Sequence, residues 1–159
     1  QKVFPDDFRK GGIEIDSQIT DITLHALDSS RVTPAYVQNK ITFLNYWFVG
    51  CRGCRQEEDF LREIRQYFSS NKQVLFLSIT PSTPVDVEAY LKQYGDWGFP
   101  VYTVGGFKKV KKIFNVKTYP HNQIVVNGTV VENLQVPIVG QEMKGWIIAR
   151  IEEELRKLE

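Results

Sequence analysis

Apolar positions change period several times along this chain, and each change marks an element. Ile41-Thr42-Phe43-Leu44-Asn45-Tyr46-Trp47-Phe48 is almost unbroken apolar and aromatic, the pattern of a strand buried on both faces rather than half-solvated. Val74-Leu75-Phe76-Leu77-Ser78-Ile79 has the same character. Between them Phe60, Leu61, Ile64, Tyr67 and Phe68 return every three or four residues, with Arg55, Glu57, Glu58, Arg62, Glu63 and Arg65 in the other places. That spacing predicts an amphipathic helix and completes a strand, helix, strand unit.

Other stretches supply the remaining elements. Ile22, Leu24 and Ala26 alternate with polar residues before the turn residues Asp28-Ser29-Ser30-Arg31 and Val32, which predicts a short N-terminal hairpin. Thr33-Pro34 and Thr83-Pro84 both read as a helix cap followed by a first-turn proline. The second opens a helix with Val87, Tyr90, Leu91 and Tyr94 inward and Gly95 at its end. Gly98-Phe99-Pro100-Val101-Tyr102 leads back to the sheet, and Phe107, Val110, Ile113 and Phe114 share one face of a lysine-rich helix. Lys108, Lys109, Lys111 and Lys112 read as its solvated side. Asn127-Gly128 between Ile124-Val125-Val126 and Val130-Val131 is a hairpin signal. Met143, Ile147, Ile151, Leu155 and Leu158 predict a closing helix. The order implies an α/β domain over residues 18–159, a mixed central sheet with helices on both faces, preceded by an N-terminal arm over 1–17 without sustained period.

Composition narrows the function classes. The 159 residues carry a net charge of +1, with 42% hydrophobic and 25% charged residues. Such a balance gives no electrostatic reason to expect nucleic acid as a partner. No apolar run approaches the ~18 residues of a membrane span. The chain starts at Gln1 and has Met143 as its single methionine, which reads as a processed or truncated product, with any leader or N-terminal tether outside it.

Chemistry concentrates in Cys51-Arg52-Gly53-Cys54, which holds both cysteines of the chain. Two cysteines in one such motif point to redox chemistry or metal binding rather than to a disulfide framework. The motif lies where the buried strand gives way to the helix, and a helix start offers unpaired N–H groups and partial positive charge. Arg52 and Arg55 add cationic charge, so Cys51 is expected to have a lowered pKa and to attack, with Cys54 resolving.

With these residues in hand, the chain resembles the thioredoxin-like superfamily, and within it the extracytoplasmic TlpA/ResA-like branch with its AhpC/TSA-type core. The resemblance runs from about Asp16 to Val136 and rests on Leu44-Asn45-Tyr46-Trp47 ahead of Cys51-Arg52-Gly53-Cys54-Arg55-Gln56-Glu57, on Phe99-Pro100-Val101, and on Val116-Lys117-Thr118-Tyr119-Pro120 before the Asn127-Gly128 hairpin. It implies a thioredoxin-like fold and a thiol–disulfide oxidoreductase without cofactor, placed in the periplasm or cell envelope. Its partners would be protein thiol or disulfide clients and a partner reductase. Pro120 would be cis beside Cys51, with Tyr119 as the edge that binds substrate backbone.

The chain departs from that branch in several places. Gly50 stands where an aromatic residue commonly precedes the first cysteine, and Gly53 replaces a frequent proline. Asp59 stands where a helix proline is frequent, so a straighter helix is expected. Asn45 replaces the buried aspartate of thioredoxins proper and cannot transfer a proton. The acid or base serving Cys54 is then water, Glu57 or another group. His121, directly after Pro120, is a candidate for stabilising the Cys51 thiolate or exchanging protons. The rival reading is a Cu(I) chaperone module using Cys51, Cys54 and His121, which the two-residue cysteine spacing disfavours. A peroxidase would want a hydroxyl three residues before the reactive cysteine, where Phe48 stands. A redox-inert interaction domain with a permanently closed pair is the remaining alternative.

Overall fold

The computed structural model describes residues 3–18, 24–25, 31–32 and 34–159. Two short strands, β1 (Leu24–His25) and β2 (Arg31–Val32), pair antiparallel. The expected turn at 28–30, the positions Ile22 and Ala26, and the Thr33 cap lie outside the described residues. A 3₁₀ turn, Pro34–Val37, leads into β3 (Ile41–Tyr46), whose six residues are all buried. Then follow α1 (Arg52–Tyr67), β4 (Val74–Thr80), α2 (Pro84–Tyr94), β5 (Val101–Thr103), α3 (Phe107–Phe114), β6 (His121–Val126), β7 (Thr129–Leu134) and α4 (Gln141–Leu158).

The main sheet has the order β5-β4-β3-β6-β7. β3, β4 and β5 run parallel, β6 is antiparallel to β3, and β7 is antiparallel to β6. β3 is therefore central, which explains why its sequence shows no alternation. Its residues nevertheless divide by parity. Ile41, Phe43 and Trp47 join a core layer with Leu61 and Ile64 of α1 and Ile147 and Ile151 of α4. Leu44 and Tyr46 join the opposite layer, with Val110 and Phe114 of α3 and Val125 of β6. Each fully buried aliphatic side chain contributes about 1.5–3 kcal/mol, so both layers hold the sheet between helices.

Two details differ from the sequence reading. The strand ends at Tyr46, two residues before the apolar run does: Trp47 N still donates to Ile79 O, but its Nε1 donates to Ser78 Oγ at 3.2 Å and its ring meets Trp97 edge-on at 4.8 Å, while Phe48 packs on Phe107 and Tyr119. The buried stripe of α1 is Cys54, Glu57, Leu61 and Ile64, whereas Tyr67 is 55% exposed. Glu57 thus belongs to the inner face rather than the solvated one.

Residues 3–18 pack against α4 and the β7 side of the sheet. Phe4 is buried edge-on against Trp146 at 4.9 Å. The chain then follows β7, with Gln135 N donating to Phe8 O, Asp16 N to Val130 O, and Val130 N to Ser17 O. This covers an edge that would otherwise expose unpaired backbone groups.

Candidate active site

The loop from β3 into α1 is held from both ends. Val49 N donates to Ser82 Oγ at 3.0 Å, and Cys51 N donates to Phe48 O at 3.1 Å. Cys51 then takes the N-cap of α1 with extended backbone, and its Sγ accepts the N–H of Cys54 at 3.2 Å. A cysteine sulfur here occupies the place usually given to a serine, threonine or aspartate oxygen. Negative charge on that sulfur would be stabilised by the helix start. The two cysteines form a disulfide with an S–S distance of 2.09 Å and a Cα–Cα distance of 5.3 Å. Both are largely covered, Cys51 8% and Cys54 5% exposed. Cys51 lines an open groove of about 480 Å³ that Cys54 does not reach.

On the other flank, the Tyr119–Pro120 peptide bond is cis. Pro120 is buried against the motif: a Cβ added at Gly53 would lie 3.1 Å from Pro120 Cδ and 3.0 Å from Pro137 Cγ. Close approach of two rings, rather than an unusual backbone angle, explains glycine at this position. Tyr119 does not project as a free edge. Its ring packs edge-on with Phe48 at 5.4 Å and Phe107 at 5.7 Å, and burial pushes its hydroxyl up to about 12.

His121 is directed elsewhere. It pairs across strands with Tyr46 and stacks edge-on to that ring at 5.6 Å, in the core layer opposite α1. Its Nε2 lies 2.9 Å from Asn133 Oδ1, and burial lowers its pKa. Strand alternation sends consecutive side chains to opposite faces, so Asn122 faces α1 and His121 does not. The structure therefore does not bring His121 to the cysteines. Among the described residues no cluster of three or more His, Cys, Asp or Glu side chains is arranged to hold a metal ion.

A carboxylate occupies the position behind the pair. Glu57 lies one turn beyond Cys54 on the same inner stripe and is fully buried. Asn45 Nδ2 donates to Asn122 Oδ1 at 2.8 Å, and Asn122 Nδ2 donates to Glu57 Oε1 at 2.8 Å. Burial holds the Glu57 carboxyl well above its ordinary range, against the opposing hydrogen bonds from Asn122 and the Ile138 backbone. The spacing of 54, 57, 61 and 64 carried the signal, since it is the same three-and-four rhythm that placed Leu61 and Ile64 inward. Its charge is what disguised it.

No family model matches the chain. Thioredoxin-like protein YneN of Bacillus subtilis is 24% identical over 127 residues, 79% of this chain and 73% of that protein. The thiol-disulfide oxidoreductase ResA of Bacillus cereus is 22% identical over 139 residues, 87% of this chain and 79% of its own. The chain is a thiol–disulfide oxidoreductase with a thioredoxin-like fold. Solved structures agree on the fold of this oxidoreductase. A Bacteroides thetaiotaomicron protein provisionally named a protein disulfide isomerase superposes with a TM-score of 0.78 at 20% identity, covering 92% of this chain and 93% of that one. A secreted Mycobacterium tuberculosis disulfide oxidoreductase homologous to E. coli DsbE gives 0.66 at 18% identity, covering 85% and 97%.

Beside the oxidoreductase's cysteines, Arg55 and Glu58 are engaged by aromatic neighbours. The guanidinium of Arg55 sits 3.6 Å from the centre of the Tyr94 ring. Tyr90 donates its hydroxyl to Glu58 in a short hydrogen bond, and burial, partly offset by that bond and by Arg55, raises the Glu58 pKa. No helix among the described residues is long and apolar enough to cross a membrane.

Proposed function

We propose that this oxidoreductase is an extracytoplasmic reductant of protein disulfides, in which Cys51 attacks and Cys54 resolves. The observation that carries the assignment of roles is the asymmetry of the pair: Cys51 Sγ caps the helix and borders the open groove, while Cys54 is turned inward. In the reduced protein the Cys51 thiolate attacks one sulfur of a client disulfide. The S–S bond of the client breaks, its second sulfur leaves as a thiolate and takes up a proton, and a Cys51–client disulfide forms. Cys54, once deprotonated, attacks Cys51 Sγ, the client leaves as a dithiol, and the Cys51–Cys54 disulfide remains. Two electrons have passed to the client, and a partner dithiol reductase restores the starting state.

Each neighbour has a part in this reading. Glu57 exchanges the proton of Cys54, the task that Asn45 cannot perform. Arg52 favours the Cys51 thiolate from the exposed side. Gly53 and Pro120 form the surface against which client backbone lies, and Tyr119 backs that surface through Phe48 and Phe107. The secreted relative from Mycobacterium tuberculosis supports an extracytoplasmic site of action. Metal delivery by Cys51, Cys54 and His121 gains no support, because His121 faces the other core layer.

Two measurements test the reading. Cys54→Ala should trap a Cys51–client disulfide that Cys51→Ala cannot form, seen as a reducible mass adduct with a model disulfide protein. The potential of the pair, equilibrated against a defined dithiol couple, should lie near or below the thioredoxin value of about −270 mV. A value near about −120 mV would instead make the chain an oxidant.

A further inference from the structure

Cys51 has a second flank, and neither Tyr119 nor Pro120 takes part in it. There the 480 Å³ groove opens between the start of α1 and α2, walled by Gly50, Arg52, Arg55, Asp86, Tyr90 and Tyr94. Four features characterise the wall. At Gly50 an added Cβ would meet nothing within 4 Å, so the lip beside the reactive sulfur is open. Arg55 is stacked on Tyr94 and hydrogen-bonded to Tyr90, which fixes the guanidinium in the wall and leaves its remaining in-plane N–H donors for an oxygen ligand. Glu58, the acidic neighbour of Arg55 on α1, is engaged by the Tyr90 hydroxyl. Arg52 is exposed and has no ion pair or hydrogen bond among the described residues. Against these two guanidinium groups the groove sets one carboxylate, Asp86.

The geometry points to this groove as the subsite for the client residues that flank the target cysteine, and to clients that carry a carboxylate there. The inference rests on the thiol–disulfide reading, because the occupant is tethered through Cys51. Tethering also explains why a shallow, partly polar groove suffices: the covalent link supplies a high effective concentration, so weak contacts choose among clients. A residue next to the cysteine reaches no more than about 3.6 Å per step along extended backbone, which sets an acidic side chain one or two positions away against Arg52 and Arg55. Complementary charge acts mainly on encounter, so selection appears in the rate of mixed-disulfide formation.

Single-turnover reduction of three peptide disulfides, identical except for Glu, Gln or Lys beside the disulfide, tests this with the fully reduced protein. At low ionic strength the Glu peptide should react on the order of threefold faster than the Gln peptide, and the Lys peptide more slowly than both. The differences should collapse at about 1 M salt, where the screening length is about 3 Å. Gln93, exposed on the α2 wall of the same groove, allows a gain-of-function arm. Gln93→Lys should raise the Glu-to-Gln rate ratio and Gln93→Glu should lower it. These ratios cancel any change in the reactivity of Cys51 itself. Equal rates for the three peptides, or ratios that neither Gln93 variant moves, overturn the groove assignment. Failure to reduce any of the three overturns the thiol–disulfide reading beneath it.

Discussion

Glu57 shows what a single residue can carry. Because burial raises its folded pKa above that of the unfolded chain, the folded state binds the proton more tightly. The native state therefore keeps its full stability below the unfolded carboxylate pKa of about 4.3 and loses some as pH rises from there through the folded value. Glu57→Gln removes this loss, so urea midpoints measured from acid to alkaline pH should rise toward the alkaline side and flatten. The same variant should slow release of a trapped client by on the order of a hundredfold, and flatten the pH profile of that step, if the carboxyl moves the Cys54 proton. Gly53 gives the complementary case, where space rather than charge is scarce. Gly53→Ala sets a Cβ 3.1 Å from Pro120 and 3.0 Å from Pro137, and this crowding, partly offset by alanine's better helix propensity, should cost about 1 kcal/mol in denaturant unfolding. Both residues stood in the motif region of the sequence. What they touch did not, since Pro120, Asn122, Pro137 and Ile138 come from more than sixty residues away.

Among the elements, the helices that frame the groove depend on their first turns. α1 begins with a cysteine sulfur as its cap, so its end is coupled to the redox state of the pair. α2 begins conventionally, with Thr83 Oγ1 accepting the N–H of Asp86 at 3.2 Å and Pro84 following. Thr83→Ala should destabilise the fold by about 1 kcal/mol, read as a lowered urea midpoint. Thr83-Pro84 was legible because a cap and its proline are neighbours in the chain. The start of β6 was not. The hairpin signal began at Ile124, but the strand extends back to His121, because His121 and Asn122 complete the ladder against Tyr46 and Asn45. Polar residues hide a strand whose partners, not its own period, specify it.

At the scale of the whole molecule, residues 3–18 are part of the fold. Arg9 pairs with Glu132 at 2.6 Å, and Arg150 of α4 reaches the same carboxylate at 2.9 Å, so one buried glutamate joins the first residues to β7 and the last helix. Phe4→Ala empties a site that is 98% covered by Trp146 and its neighbours and should cost about 3–5 kcal/mol in equilibrium unfolding. A fall of less than about 1 kcal/mol would make the segment a loose tether instead. The parallel β3 and β4, the intervening helix and the cysteine pair at its start were written in local patterns: continuous apolar runs, a three-and-four rhythm and a two-residue spacer, each set by neighbours in sequence. Only the assembled sheet decided that His121 faces away from the sulfurs, which distant groups Glu57 meets beneath them, and that a groove opens between α1 and α2. Those outcomes depend on strand register and helix placement, which follow from packing between distant segments and leave no trace in the local spacing of residues.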